Sequence, residues 1–125
     1  MQHHLPEGWI GRLGGLMMFP ETPETVRLFE AWATAEGGTS KWNPLNTTED
    51  MIGATDYNSV GVKNYPTPIH GISATALTLQ LEPYHSLWAD LQTGRYSAVQ
   101  LVRRNAHCFD TWGTGAAHVL AVLGV

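Results

Sequence analysis

Residues 22–38 read TPETVRLFEAWATAEGG, and this segment predicts an amphipathic helix with both of its ends marked in the sequence. Thr22 is a favoured N-cap residue, Pro23 suits the first helical position, and the pair Gly37-Gly38 ends the helix. Apolar residues recur at helical spacing through its middle, namely Val26, Phe29 and Ala33. The segment therefore predicts one face buried in a core, and it ends in the acid Glu36.

The position of Glu36 is unfavourable for a purely structural acid. The C-terminal end of a helix carries partial negative charge, and Trp32 lies four residues back on the same face. Both neighbours raise the pKa of a carboxyl group. A carboxylic acid that keeps its proton near neutral pH can protonate a leaving group, so Glu36 is a candidate general acid. The alternative is a solvated acid before a glycine C-cap.

Composition indicates one domain with much irregular backbone. The chain has 125 residues, of which 43% are hydrophobic and 14% charged, against ~25% charged residues in typical soluble domains. The formal net charge is −4 and the only adjacent basic pair is Arg103-Arg104, so nucleic acid is not an expected partner.

The longest apolar run, near residues 119–125, is far shorter than the ~20 residues of a membrane span. No secretory signal is expected either, because the N-terminal sequence MQHHL lacks a basic region.

Short helices are predicted to dominate a single domain over residues 1–125, with residues 1–20 as an N-terminal arm and residues 21–125 as the core. A short helix near residues 9–18 is the alternative for the arm. Residues 39–68 carry turn residues, and Tyr57–Tyr65 within them predicts a short strand or hairpin. Further helices are predicted over His70–Leu81, Tyr84–Leu91, a segment capped by Ser97, and Thr114–Leu123.

The expected fold is thus mainly α. It has four to six short helices, with a central buried helix over residues 69–81 beside the loop and hairpin insert.

The cysteine and the histidines favour neither a disulfide nor a metal centre. Cys108 is the only cysteine, so it cannot form an internal disulfide. A catalytic thiol assisted by His107 or His118 competes with a small buried side chain at Cys108, and the buried role is favoured. The histidines show no paired metal-binding spacing, and His3 and His4 fall in the predicted arm. No glycine-rich phosphate-binding loop is present, so no cofactor is expected.

Three short motifs follow the predicted helix in a specific order. EGG at residues 36–38 precedes WNPLNTT at 42–48 and YNSVGVKNY at 57–65, and a helix then opens with GISA at 71–74. This order resembles the lysozyme-like superfamily, most closely its glucosaminidase-type peptidoglycan hydrolases and the lysozyme-like proteins of bacteriophages. The resemblance covers roughly residues 24–115. It implies an α+β lysozyme-like fold with a small lobe beside a cleft, and it implies that Glu36 is the catalytic acid.

A second catalytic acid is not fixed by the resemblance, although glycoside hydrolysis usually needs one. Asp56 is the first candidate because it opens the hairpin-like segment that would face Glu36, and Glu49 and Asp50 are the others. Each of these acids has an alternative role in stabilising a turn or a helix start. A lytic transglycosylase needs no second carboxylate, because the sugar's own hydroxyl attacks. The sequence leaves both reactions open.

Aromatic and amide side chains in residues 42–65 are candidate sugar-binding groups, because aromatic rings stack on sugar faces and amides bond sugar edges. The candidates are Trp42, Asn46, Tyr57, Asn58, Asn64 and Tyr65. Each tyrosine has an alternative role in packing, with its hydroxyl bonded to backbone. The predicted function is cleavage of peptidoglycan glycan strands at the bacterial cell wall, by a chain made in the cytoplasm and delivered by another component. The alternative is a non-catalytic virion structural or glycan-binding protein, which would have other virion proteins as partners.

Overall fold

The computed structural model describes residues 5–125, and within them the chain forms seven α-helices and one short hairpin. The predicted mainly α class is confirmed. In chain order the elements are α1 (Trp9–Met17), α2 (Pro23–Glu36), β1 (Thr55–Asp56), β2 (Lys63–Asn64), α3 (Pro68–Leu79), a 3₁₀ turn (Glu82–Tyr84), α4 (His85–Thr93), α5 (Ala98–Arg104), α6 (Ala106–Trp112) and α7 (Ala116–Leu123). No helix within residues 5–125 is long and apolar enough to cross a membrane.

Helix α2 begins and ends where the sequence predicts. The Thr22 hydroxyl accepts a hydrogen bond from the backbone N–H of Thr25, and the Thr25 hydroxyl accepts one from Thr22 in return. Gly37 closes the helix in the left-handed conformation at φ 58°, which a glycine adopts without a steric cost. Glu36 is therefore fixed as the last helical residue.

The core is organised around α2, not around a central α3 as predicted. Leu28, Phe29 and Trp32 of α2 are fully buried, and α2 packs against α5 and α7. The Trp32 ring lies 4.5 Å from that of Phe109 and 5.2 Å from that of Trp112, centroid to centroid. Aromatic contacts of this kind contribute free energy beyond that of area burial, so they strengthen the packing of α2 against α6.

Helix α3 is amphipathic, because it has one buried face and one exposed face. Leu79 is 1% exposed, as predicted, whereas Ile69 is 65% and Leu77 47% exposed. The buried face of α3 packs against α1. A Cβ atom built on Gly71 would lie 1.6 Å from the carbonyl oxygen of Trp42, so only a glycine allows α3 to approach the loop after α2 this closely.

Of the two alternatives for residues 1–20, an N-terminal arm or a short helix near residues 9–18, the structure shows the helix. Residues Trp9–Met17 form α1, and its side chains at positions 9, 13 and 17 are buried together with Phe19. The side chain of Trp88 fixes the end of α1, since its Nε1 donates to the Met17 carbonyl at 2.7 Å. Burial of this apolar face outweighs the low helix propensity of the glycines in α1. His3 and His4 lie outside the described residues.

The loop and hairpin between α2 and α3 are joined to each other by a buried amide. In the hairpin Thr55 pairs with Asn64 and Asp56 pairs with Lys63, antiparallel. The Nδ2 of Asn43 donates to the carbonyls of Thr47 and Lys63 at 2.9 and 2.8 Å, and its Oδ1 accepts from the Thr47 N–H. A buried amide bonded on both sides holds loop and hairpin as one lobe.

Helix α6 was not predicted, because the chain bends at Asn105 instead of showing a glycine or proline boundary. Asn105 is 1% exposed, and its Nδ2 donates to the Leu101 carbonyl and to Asp90 Oδ2. The last helix, α7, buries Ala116, Val119 and Leu123 and leaves its opposite side exposed.

Candidate functional site

Glu36 lies in a cleft of about 420 Å³ between the end of α2, the loop and hairpin lobe, and the start of α7. The lobe contributes Asn46, Thr48, Val60 and Val62, and the opposite wall contributes Trp112, Thr114 and His118. A slightly larger cavity of about 460 Å³ lies between α1 and α2, but its two carboxylates, Glu21 and Glu30, are exposed. We place the candidate site at Glu36, because its carboxyl group is both partly buried and held by a neighbour.

Burial raises the pKa of Glu36 above its ordinary value, since a low-polarity environment disfavours the charged carboxylate. The Thr114 hydroxyl opposes this rise most strongly, because it donates a hydrogen bond to Glu36 Oε1. Trp112 and His118 lower the pKa further but do not reverse the direction. The indole N–H of Trp112 donates its hydrogen bond to the Leu45 carbonyl at 2.8 Å.

The predicted rise is therefore confirmed, although Trp32 is not the neighbouring ring. Trp32 is fully buried in the core, and Trp112 is the tryptophan in the cleft.

Asn46 connects the lobe to the end of α2. Its Nδ2 donates to the Glu36 carbonyl at 3.4 Å and its Oδ1 accepts from the Ser40 hydroxyl at 3.2 Å. A Cβ atom on Gly38 would lie 2.0 Å from Asn46 Oδ1. The second glycine of the EGG motif is thus needed for the close approach of Asn46. Of the predicted sugar-binding residues, Asn46 is the one that lines the Glu36 cleft.

Asp56, the predicted second acid, is not brought to Glu36. It lies in β1 and does not line the cleft, and its side chain is 71% exposed and accepts a hydrogen bond from Lys63 Nζ at 2.6 Å. Glu49 and Asp50 are likewise absent from the lining of the cleft. Among residues 5–125, Glu36 supplies the one carboxylate of this cleft.

Asn58 and Asn64 hold the hairpin, which differs from their predicted role in sugar binding. Asn58 Oδ1 accepts from the backbone N–H groups of Val60 and Val62 at 3.2 and 3.1 Å. Asn64 Oδ1 accepts from the Lys41 N–H at 2.8 Å. Both amides stabilise turns and strand pairing, a common role for asparagine in loops.

Two of the three predicted aromatic contacts are structural. Tyr65 is 1% exposed and its hydroxyl donates to the Glu49 carbonyl at 2.6 Å, so burial raises the pKa of Tyr65. Trp42 is half-buried at φ 58° with its carbonyl against Gly71. Tyr57 is 43% exposed and its hydroxyl shares a hydrogen bond with that of Thr39. Of these three side chains, that of Tyr57 is the most exposed.

Cys108 is fully buried, as the favoured alternative predicted. Its thiol lies 3.4 Å from the Pro83 carbonyl and 3.5 Å from His107 Nε2. In the part of the chain that the structure describes, no group of three or more His, Cys, Asp or Glu side chains could hold a metal ion.

The opposite wall of the cleft, with Trp112, Thr114 and His118, is not indicated by the sequence pattern. Thr114 lies between Gly113 and Gly115, both at positive φ, so the chain turns sharply there and directs the threonine at Glu36. The flanking glycines were a possible signal of a functional turn, but no local pattern relates them to an acid 78 positions earlier.

Comparisons with protein-family models, with curated proteins and with solved structures found no match for this chain.

Proposed function

We propose that this protein cleaves the glycan strands of peptidoglycan, with Glu36 as the general acid. The observation that carries the proposal is the raised pKa of Glu36 inside a cleft. A general acid must hold a proton near its operating pH and reach the leaving oxygen. Most other aspartate and glutamate side chains of the chain are exposed to solvent, whereas Glu36 is partly enclosed between the helices and the lobe.

The hydrogen bond from Thr114 orients the proposed acid. Thr114 donates to Oε1, which leaves Oε2 to carry the proton that is transferred to the glycosidic oxygen. Asn46 holds the backbone of Glu36 from the lobe side, so the backbone position is fixed as well as the orientation of the carboxyl group. Such positioning is what makes proton transfer effective in a bound complex.

The number of carboxylates bears on the reaction type. Hydrolysis with two carboxylates places them about 5–9.5 Å apart across the scissile bond, and the cleft offers Glu36 alone among residues 5–125. In our proposal Glu36 acts first as acid and then as base, while a hydroxyl of the sugar itself attacks, as in a lytic transglycosylase. In this proposal the mainly α fold, with the end of α2, the lobe and the cleft around Glu36, is of the lysozyme-like α+β type.

The single carboxylate also favours a second candidate function. A non-catalytic virion component or glycan-binding module with the same fold needs the cleft but no second acid. As an enzyme or a glycan-binding module the chain would bind the peptidoglycan strand at the bacterial cell wall, and as a virion structural protein it would contact other virion proteins.

Loss of turbidity of a peptidoglycan suspension tests the proposal. Glu36→Gln keeps the shape of the side chain and removes the acidic proton, so we expect ~10²–10⁴-fold slower clearing. Glu30→Gln is the matched control, because Glu30 is an exposed glutamate on the same helix. Clearing by folded Glu36→Gln at the parent rate would refute the acid role. An inactive parent protein that pellets with insoluble peptidoglycan would instead support the glycan-binding candidate.

A further inference from the structure

An apolar groove of about 490 Å³ lies between α1 and α3. Its described lining residues are Arg12, Gly15 and Leu16 of α1 with Ile69, Ile72 and Ser73 of α3. None of these residues lines the Glu36 cleft, so the groove is a separate surface of the molecule. Among the lining residues that the structure describes, Arg12 alone carries a charge, and the small side chains leave the space between the two helices open.

The exposed face of α3 continues this groove as an apolar stripe. Ile69 and Leu77 are 65% and 47% exposed, and Ser73 lies midway between them in the helix. Leu81 follows four residues after Leu77, just beyond the end of α3, and is 52% exposed. Residues four apart lie on the same face of a helix, so the stripe runs along the whole of α3. Apolar side chains that cluster on a surface in this way mark an interaction site, because covering them is favourable.

The two ends of the stripe carry opposite charges. Arg12 lines the groove together with Ile69 at the start of α3, and Glu82 directly follows Leu81 beyond its end. Both charged side chains are exposed, and neither forms an ion pair within residues 5–125. A surface with an apolar middle and opposite charges at its ends is complementary to a second copy of itself placed antiparallel.

We propose that this face binds a second copy of the chain, with the two α3 helices antiparallel about a twofold axis. Ile69 then lies opposite Leu81 of the second copy, and Leu77 enters the groove beside Ser73 of the second copy. Arg12 of each copy meets Glu82 of the other, so this ion pair occurs twice. The dimer does not depend on the proposed function. Because two helices from each copy form a small interface, we expect a dissociation constant in the micromolar range.

Sedimentation velocity of the full chain over the micromolar range tests the dimer, at low ionic strength so that exposed charges are screened least. The parent protein should form a dimer whose population rises with concentration. Arg12→Glu and Glu82→Arg each place like charges together twice, and each should raise the dissociation constant about tenfold. The double variant restores opposite charges and should return to within about threefold of the parent. Arg103→Glu is the matched control, because Arg103 is an exposed arginine of α5 outside the groove.

Leu77→Lys tests the apolar middle of the same interface. It places two lysines near the twofold axis, so it should leave monomer alone over the concentrations at which the parent is a dimer. Leu77 is half exposed in the single chain, and thermal unfolding establishes that this variant and the charge variants are folded.

Loss of the dimer in Leu77→Lys, together with its recovery in the double charge variant, supports the proposal. A dimer that Leu77→Lys leaves intact would overturn it, and so would single charge reversals that the double variant does not rescue. A parent protein that stays monomeric throughout also overturns it. Flotation of that monomer with phosphatidylglycerol vesicles would then identify a lipid surface as what covers the groove.

Discussion

Replacing Gly71 by alanine tests how closely α3 approaches the loop that carries one wall of the cleft. Inside a helix, alanine is favoured over glycine by ~0.8–1 kcal/mol. Against this, the new Cβ would lie 1.6 Å from the Trp42 carbonyl oxygen, a backbone atom that cannot rotate away. Overpacking of this kind costs typically ~1–3 kcal/mol and occasionally more, and so short a distance indicates the upper end. We expect a net loss of ~2 kcal/mol or more in the free energy of unfolding.

Gly15→Ala is the matched control for Gly71→Ala. Gly15 is also helical, but a Cβ atom there meets no heavy atom within 4 Å, so alanine should stabilise by up to ~1 kcal/mol. For a chain of this size 1 kcal/mol corresponds to ~3–6 °C. The melting temperature should therefore fall by ~6–12 °C in Gly71→Ala and rise slightly in Gly15→Ala. A Gly71→Ala protein as stable as its parent would refute the close contact between α3 and the loop.

Three further outcomes are expected. Leu79→Ala should lower the free energy of unfolding by ~2–5 kcal/mol, because Leu79 is 1% exposed, and unchanged denaturant unfolding would contradict its burial. Thr114→Val removes the hydrogen bond that lowers the pKa of Glu36, so the alkaline limb of the pH–activity profile should move to higher pH; an unmoved limb would exclude Thr114 as a positioning residue. Burial raises the pKa of Glu36 in the folded state, so the folded protein binds this proton more tightly than the unfolded chain does. The ionised carboxylate therefore lowers the free energy of unfolding above the folded pKa, but not below the unfolded value of ~4.3. Glu36→Gln should therefore melt higher than its parent near neutral pH and lose that advantage below about pH 4, whereas an equal difference at both pH values would argue against a buried charge.

Elements with local start and stop signals could be predicted from the sequence. Thr22 and Gly37 bound α2, Gly94 ends α4, and Ser97 caps α5 with its hydroxyl on the Gln100 N–H. These signals act over one helical turn, so neighbouring residues are enough to recognise them. Helix α6 starts at a bend held by Asn105 through contacts with residues of α4 and α5, which no local pattern shows.

The candidate site was predictable on one side only. Glu36 and Asn46 belong to neighbouring segments, and their spacing was visible in the sequence. Thr114 and His118 come from the far end of the chain, and their role depends on how α7 packs against α2. Asn58 and Asn64 were assigned to sugar binding because an amide suits a sugar and a backbone turn equally well, and the turn is where the structure uses them.

Each wall of the cleft restrains Glu36 through a short polar side chain whose position depends on glycine. On one side Gly38 makes room for Asn46, which holds the Glu36 carbonyl. On the other side Gly113 and Gly115, both at positive φ, turn the chain so that Thr114 meets the Glu36 carboxyl. The backbone end and the acidic end of one residue are thus held from opposite sides by short polar side chains, each of which depends on glycine geometry. A solvated helix-end acid needs neither arrangement, so the double restraint on Glu36 is the strongest structural reason to regard it as functional.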